Sequence, residues 1–359
     1  MNFKYLELVE KIKDQILSKN ISIGEKLPSE NELSARYGVS RETVRKALAI
    51  LEEEGFIEAR HGSGTFCREI VRHSGTSRNV ALVTTYLTDY IFPRVIQGVE
   101  KVAAGEGYSI ILKSTNNSRT REAKCLEELL SKDIEGIILE PSKSHIYCKY
   151  LDYFRKLKDY NIPCVFIQGM YSQLSDMPSV LLDDELGGYL ITKYLISLGH
   201  KNIAGVFKSD DIQGQNRHKG YVRALREAGM EYNPDHVIWF YTEDRVIHPA
   251  QSIKNLVTGD STVDGIVCYN DQTAIKIIRS LSEIGKRVPE DISVTGFDNS
   301  DLAGSGLLRI TTVLHPQEEL GEAAGNLLLN LIKYGDSFKG ERHIVMKPEV
   351  IPGDTCRAR

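Results

Sequence analysis

The chain has 359 residues, a formal net charge of −4 and six scattered cysteines. That length exceeds what one hydrophobic core usually serves and predicts a small domain beside a larger, two-lobed one. The acidic balance excludes a globally basic nucleic-acid binder. The spacing of Cys67, Cys125, Cys148, Cys164, Cys268 and Cys356 excludes a zinc module or a disulfide framework, and no apolar run is long enough to span a bilayer.

Charge follows Met1 where a signal peptide would carry its apolar core, so a cytoplasmic protein without membrane contact is expected. Leu6, Val9, Ile12, Ile16 and Leu17 recur at helical steps and predict a helix over 5–18. Ser29 followed by Glu32 forms the capping-box pattern ahead of a second helix that begins its apolar face at Leu33 and ends at Tyr37-Gly38. After a short turn Ser40 caps a third helix, with Val44, Ala47, Leu48 and Leu51 on one face and Arg41, Thr43, Arg45 and Lys46 on the other. Positive charge is placed here rather than abundant: Arg36, Arg41, Arg45 and Lys46 stand against the single acid Glu42.

Two short helices joined by a Gly-containing turn, the second exposing arginines near its start, are what a helix-turn-helix needs in the major groove. An arginine fork bridges O6 and N7 of guanine, while Lys46 and Thr43 suit phosphate or mixed contacts. An ordinary helical hairpin with a solvated basic face is the alternative. The continuation favours DNA, because residues 55–66 read as two short strands around Gly62 and Gly64, a wing. No GxxxxGK[ST] phosphate loop is present.

The stretch PSENELSARYGVSRETVRKALAILEEEGFIEARHGSGTF resembles the winged-helix domain of GntR-family repressors. That resemblance implies double-stranded operator DNA as a partner and nominates Lys4, Tyr5, Ser29, Glu30, Arg41, Thr43, Arg45, Lys46, His61, Gly62 and Gly64 as its contacts. The domain is expected over 1–68, with a polar tether over 69–78.

From residue 79 the composition changes to apolar strands alternating with amphipathic helices. Strands are predicted over 79–85, 108–113, 136–139 and 163–167, then over 202–207, 237–240, 265–268 and 292–296. The fold class is therefore α/β, with parallel sheets covered on both faces. Two such sets imply two lobes, about 79–180 with 314–335 and about 181–313 with 336–359. Ligands of such sheets lie beyond the carboxyl ends of the strands, so facing lobes would share one cleft.

The loops at those ends carry Asp89, Tyr90 and Phe92, then Glu140, Ser142 and Lys143, then Gln213 and Arg217. Asn270 and Asp271, Asp298 and Asn299, and His315 follow. Carboxylate, amide and guanidinium groups beside aromatic faces suit a sugar, whose hydroxyls both donate and accept. Helix capping is the competing duty for Asp183, Asp184, Asn270 and Asp271.

ISLGHKNIAG, GQNRHKGYVRAL, CYNDQTAIKIIRSL, VPEDISVTGFDNSDLA and TTVLHP stand in the order found in LacI-family repressors and periplasmic sugar-binding proteins, which this half resembles. That resemblance makes Arg217, Asn270 and Asp298 the leading effector contacts, with Asp89, Tyr90, Phe92, Glu140, Lys143, Gln213 and His315 completing the expected site; His315 departs from the glutamine common there. A GntR-type reader joined to a LacI-type sensor, together with TTYLTDYIFPRVIQGVE, STNN and EPSKS, resembles the arabinose-repressor family. It implies L-arabinose or a related sugar as inducer, a homodimer on a palindromic operator, and no cofactor. A sugar-binding transport component and an α/β enzyme are the alternatives. No GxSxG, HExxH or Walker pattern supports catalysis, and neither Asp183-Asp184-Glu185 nor His145 with Cys148 has the partners of a metal site.

Overall fold

The computed structural model describes residues 4–17, 20–22, 24–53, 55–60, 63–67, 77–88, 90–259, 262–304 and 308–359. Three helices open the chain, α1 (Lys4–Leu17), α2 (Glu30–Tyr37) and α3 (Arg41–Glu53), followed by strands β1 (Ile57–Arg60) and β2 (Gly64–Cys67). The Glu32 N–H donates to Ser29 Oγ and the Ser29 N–H to Glu32 Oε2, which satisfies two N–H groups that have no partner within α2. Gly38 ends that helix at φ 65°, a left-handed position that favours glycine. Ser40 caps α3 by accepting from the Thr43 N–H at 3.2 Å.

Leu8, Val9, Ile12 and Ile16 of α1 pack with Leu33, Val44, Ala47, Leu51 and Ile57 in one buried cluster. Leu6, expected on this face, projects outward, and Leu8 takes its place. β1 and β2 pair antiparallel with Ile57 opposite Cys67 and Arg60 opposite Gly64, so the wing is present.

A larger unit begins at Arg78. It runs β3 (Asn79–Thr84), α4 (Phe92–Gly105), β4 (Ser109–Ser114), α5 (Arg119–Leu130), β5 (Gly136–Leu139), α6 (Leu151–Asp159), β6 (Cys164–Ile167) and β7 (Ser179–Leu182). α7 (Asp184–Ser197), β8 (Ile203–Lys208), α8 (Ile212–Glu227), β9 (Val237–Phe240), α9 (His248–Gly259), β10 (Gly265–Cys268), α10 (Asp271–Glu283) and β11 (Ser293–Thr295) follow. The chain then passes through α11 (Asp301–Gly304), β12 (Thr312–Leu314), α12 (Gln317–Tyr334), β13 (His343–Met346) and β14 (Glu349–Ile351).

The first sheet has the order β13-β7-β6-β5-β3-β4 and the second β11-β10-β8-β9, every pairing parallel. Runs such as β5, β6 and β10 are buried at every position because helices cover both faces. Residues 336–359, expected wholly in the second lobe, divide instead: β13 extends the first sheet beside β7, while the C-terminal residues reach the second lobe through the Val294 N–H to Thr355 O bond. The chain crosses between lobes at 182–184, 314–317 and 346–349, between β7 and α7, β12 and α12, and β13 and β14.

Helix pairs press close where glycine leaves room. A Cβ on Gly98 of α4 would lie 2.1 Å from Glu318 O of α12, and one on Gly188 of α7 would lie 2.2 Å from Arg217 O of α8. Among the described residues no helix is long and apolar enough to cross a membrane.

Candidate DNA interface and effector cleft

Arg41, Arg45 and Lys46 are exposed on α3, opposite buried Val44, Ala47 and Leu51. The Arg45 fork is held by Glu30, Nε at 3.3 Å from Oε1 and Nη2 at 3.0 Å from Oε2. This bond lowers the Glu30 carboxyl below its ordinary value, and its two-point geometry orients the guanidinium on the exposed face. Glu30 and Arg45 thus form one paired unit on the exposed face. Lys46 pairs with Glu42 at 3.1 Å, Thr43 Oγ1 lies 2.9 Å from Ser40 Oγ, and the Ser29 hydroxyl is engaged by Glu32.

Lys4 is exposed and Tyr5 half-buried at the start of α1. Gly64 sits at φ 110° on the wing, where a Cβ would meet the Lys26 side chain at 2.5 Å. His61, Gly62 and Asp89 lie outside the described residues. Arg60 was not nominated, yet its guanidinium lies 4.7 Å from the Phe66 ring on the wing.

The larger unit holds a cleft at the carboxyl ends of the strands of both lobes. Arg217 of α8 is its most constrained group. Its Nε donates to Asp184 Oδ1 at 2.8 Å, Nη1 to Tyr269 O at 2.6 Å and Nη2 to Asp298 Oδ1 at 3.2 Å, with the Phe297 ring 3.6 Å away. Burial works against its charge, but Asp298 and Asp184 outweigh that and raise the guanidinium above its ordinary value. Burial lifts Asp184 to about 6 against the pull of Arg217.

Tyr90 donates to Asp298 Oδ2 at 2.7 Å, and both residues hold left-handed backbone, φ 64° and 93°. Such backbone is costly for non-glycine residues and persists where surrounding contacts enforce it, which is common at ligand sites. Glu140 accepts from the Thr85 N–H and hydroxyl, each at 2.7 Å, and burial pushes its carboxyl to about 7. Lys208 Nζ lies 2.5 Å from Asp211 Oδ2.

Tyr90, Phe92, Glu140, Gln213, Arg217, Asn270 and Asp298 all line this cleft, joined by Tyr86, Gln168, Lys208, Asp211, Phe240 and Arg245. The cavity measures about 90 Å³, room for a handful of waters or one small polar molecule, since about 10–15 Å³ of such space holds one water. Two lining atoms, Tyr86 Oη and Gln168 Nε2, are buried without a hydrogen-bond partner among the described residues. Buried polar groups left this way ask for a bound partner.

Two nominated residues stand elsewhere. Lys143 reaches Glu243 at 2.5 Å and Asp210 at 3.5 Å, so it ties the lobes together beside the cleft instead of lining it. His315 lies behind the wall, its Nε2 2.8 Å from Gln168 Oε1. The capping alternative also divides: Asp183 and Asn270 cap α7 and α10, whereas Asp184 holds Arg217 and Asp271 accepts from Ser300 and Thr312. Of the residues not foreseen, Lys208 had a legible signal, the one cation of the otherwise apolar strand IAGVFK.

The family model for bacterial regulatory proteins of the gntR family matches residues 4–67, and that for a periplasmic binding protein-like domain matches 192–356. The chain is 39% identical over 361 residues to an arabinose metabolism transcriptional repressor of Halalkalibacterium halodurans, across 98% of this chain and 96% of that one. A repressor of the same description from Geobacillus stearothermophilus is 36% identical across 97% and 96%. The chain belongs to this repressor family. As such a repressor it is a DNA-binding regulator and not an enzyme. Its larger unit resembles solved regulators: CcpA of Lactococcus lactis has a TM-score of 0.68 at 25% identity, covering 78% of this chain and 99% of that one. A LacI family regulator of Enterococcus faecium with bound ribose has a TM-score of 0.67 at 24% identity, covering 78% and 98%, and supports the fold.

Proposed function

We propose that the repressor binds a palindromic operator of carbohydrate-utilisation genes as a homodimer, and that L-arabinose entering the cleft releases it without any cofactor. The observation that carries this reading is the cleft itself: Arg217, Asp298 and Tyr90 form a preset polar cluster, Tyr86 and Gln168 offer unpartnered donors, and aromatic rings flank them. Fixed donors and acceptors beside flat apolar faces match a pentose, each of whose hydroxyls donates and accepts. The relatives described as arabinose metabolism repressors point to the same inducer.

Release requires the sugar to favour the state with lower operator affinity, and a coupling of about 1–3 kcal/mol weakens DNA binding about 5- to 150-fold. Calorimetry of a pentose panel, followed by a shift assay on an operator fragment, tests both parts. Heat with L-arabinose and a matching loss of operator affinity are expected. Binding without any change in operator affinity removes the induction mechanism, and heat with another pentose alone replaces the inducer.

A further inference from the structure

We infer that His315 is a positioning residue which, as a neutral imidazole protonated at Nε2, holds Gln168 Oε1 and turns the Gln168 amide nitrogen into the cleft as a donor to the effector. It rests on the reading of the cleft as a sugar site and names one element of its specificity.

His315 sits on the crossing 314–317 and is 2% exposed. Its Nε2 lies 2.8 Å from Gln168 Oε1, and its Nδ1 has no hydrogen-bond partner among the described residues. A neutral imidazole carries one proton. Placing it on Nδ1 would bury an N–H that finds at best its own backbone and no hydrogen bond of ordinary geometry among the described residues, whereas on Nε2 it meets a carbonyl oxygen. With the ring donating, the amide has one orientation left, Oε1 to the ring and Nε2 to the cleft. Burial keeps the imidazole neutral, lowering it to about 4 although Asp298 pulls the other way; Arg217 and Glu319 are the other charges that act on it.

Gln168 Nε2 is the atom that this arrangement leaves buried and unpartnered on the cleft wall. The carboxylates Asp298, Glu140 and Asp211 on the same walls can only accept when ionised. A fixed donor here therefore reads a different feature of the ligand, an oxygen with a lone pair aimed at it. Were the amide free to turn, the wall would take either a donor or an acceptor and discriminate less.

The test combines calorimetry and NMR on the full chain. With L-arabinose as the probe, H315L and Q168L are each expected to weaken binding about tenfold, the value of one lost hydrogen bond in a dry site. The double variant H315L/Q168L should bind no more weakly than Q168L, because His315 acts through Gln168. H315Q, whose amide nitrogen can take the place of Nε2, should restore most of the affinity. Losses that multiply in the double variant overturn the inference and leave His315 a packing residue. Independently of any sugar, long-range proton–nitrogen spectra of histidine-labelled protein should show an Nε2–H tautomer, missing in H315Q and unchanged from pH 8 to pH 5. An Nδ1–H tautomer or an imidazolium at pH 6 overturns it. Wild-type protein that binds no L-arabinose yet shows the expected tautomer overturns the effector reading alone.

Discussion

Arg217 and Asp184 meet at 2.8 Å with only 5% of either side chain exposed, so neither charge has water to replace its partner. Removing the cation strands Asp184 and Asp298 together. R217A is expected to destabilise the larger unit by about 3–5 kcal/mol, the usual effect of breaking a buried pair, and to abolish sugar heat. R217A/D184N should recover part of that stability in denaturant titrations and none of the heat. Full recovery of both would show that Arg217 serves only packing.

Glu122 supplies a pH dependence from outside the cleft. It is fully buried, accepts from the Ser142 N–H and the Tyr171 hydroxyl, and burial lifts it to about 7 from its ordinary 4.5. Its folded form therefore holds a proton that the unfolded chain releases, so its contribution is fully present below about pH 4.5 and is lost as pH rises through 7. Glu140 and Asp271, each at about 7, carry the same sign. E122Q, which stays neutral, keeps an acceptor for the Ser142 N–H and can donate to the Tyr171 oxygen while that hydroxyl donates to Ser142 O, is expected to be more stable than wild type at pH 8, by at most about 3 kcal/mol. The advantage should shrink towards pH 5 in thermal melts; an advantage independent of pH contradicts the assignment.

On the DNA face the capping duty of Ser29 can be separated from any contact. Aspartate caps helices as well as serine, but a carboxylate beside phosphate repels it. S29D still caps α2 but sets a carboxylate against Glu32 where a hydroxyl had donated to it, so it is expected to lose no more stability than S29A, which loses about 1 kcal/mol. Only S29D should weaken operator binding at low salt. R41A and R45A should each weaken it roughly 5- to 150-fold where the contact is to a base, with sugar heat unchanged. Loss of sugar heat in these variants would indicate general misfolding.

Most elements were legible because their patterns are local. The capping box at Ser29 and Glu32, the helical spacing of Val44, Ala47 and Leu51, and the continuous apolar strands each declare themselves within a few residues. β13 did not, since its burial alternates between exposed and half-buried, and nothing local says which sheet it joins. In the cleft, Arg217, Asp298 and Asn270 were legible as polar residues that follow strands, although Arg217 stands on α8 and not in the loop before it. Lys143 looks like a ligand group in the sequence because its partner Glu243 stands 100 positions away. Gln168 gives no local signal for the matching reason, as its partner His315 stands 147 positions on.

The glycine contact beneath the cleft gives a steric prediction. A Cβ at Gly188 would lie 2.2 Å from the carbonyl oxygen of Arg217, so α7 and α8 must separate to admit it. G188A is expected to destabilise the chain and to lower sugar affinity more than G229A, where a Cβ meets nothing within 4 Å; the φ of 68° at Gly229 adds only local strain. Equal affinity loss in the two variants would remove the link between helix spacing and the guanidinium.

Lys143 holding Glu243 and Asp210, and Asn117 holding Asp211 and Thr242, stitch one lobe to the other beside the cleft. A molecule enclosed behind such stitches departs only when they part, so they govern dwell time more than capture. A regulator whose effector leaves this slowly would stay occupied for a time after the supply falls, a persistence set by two side chains rather than by the strength of the contacts to the effector.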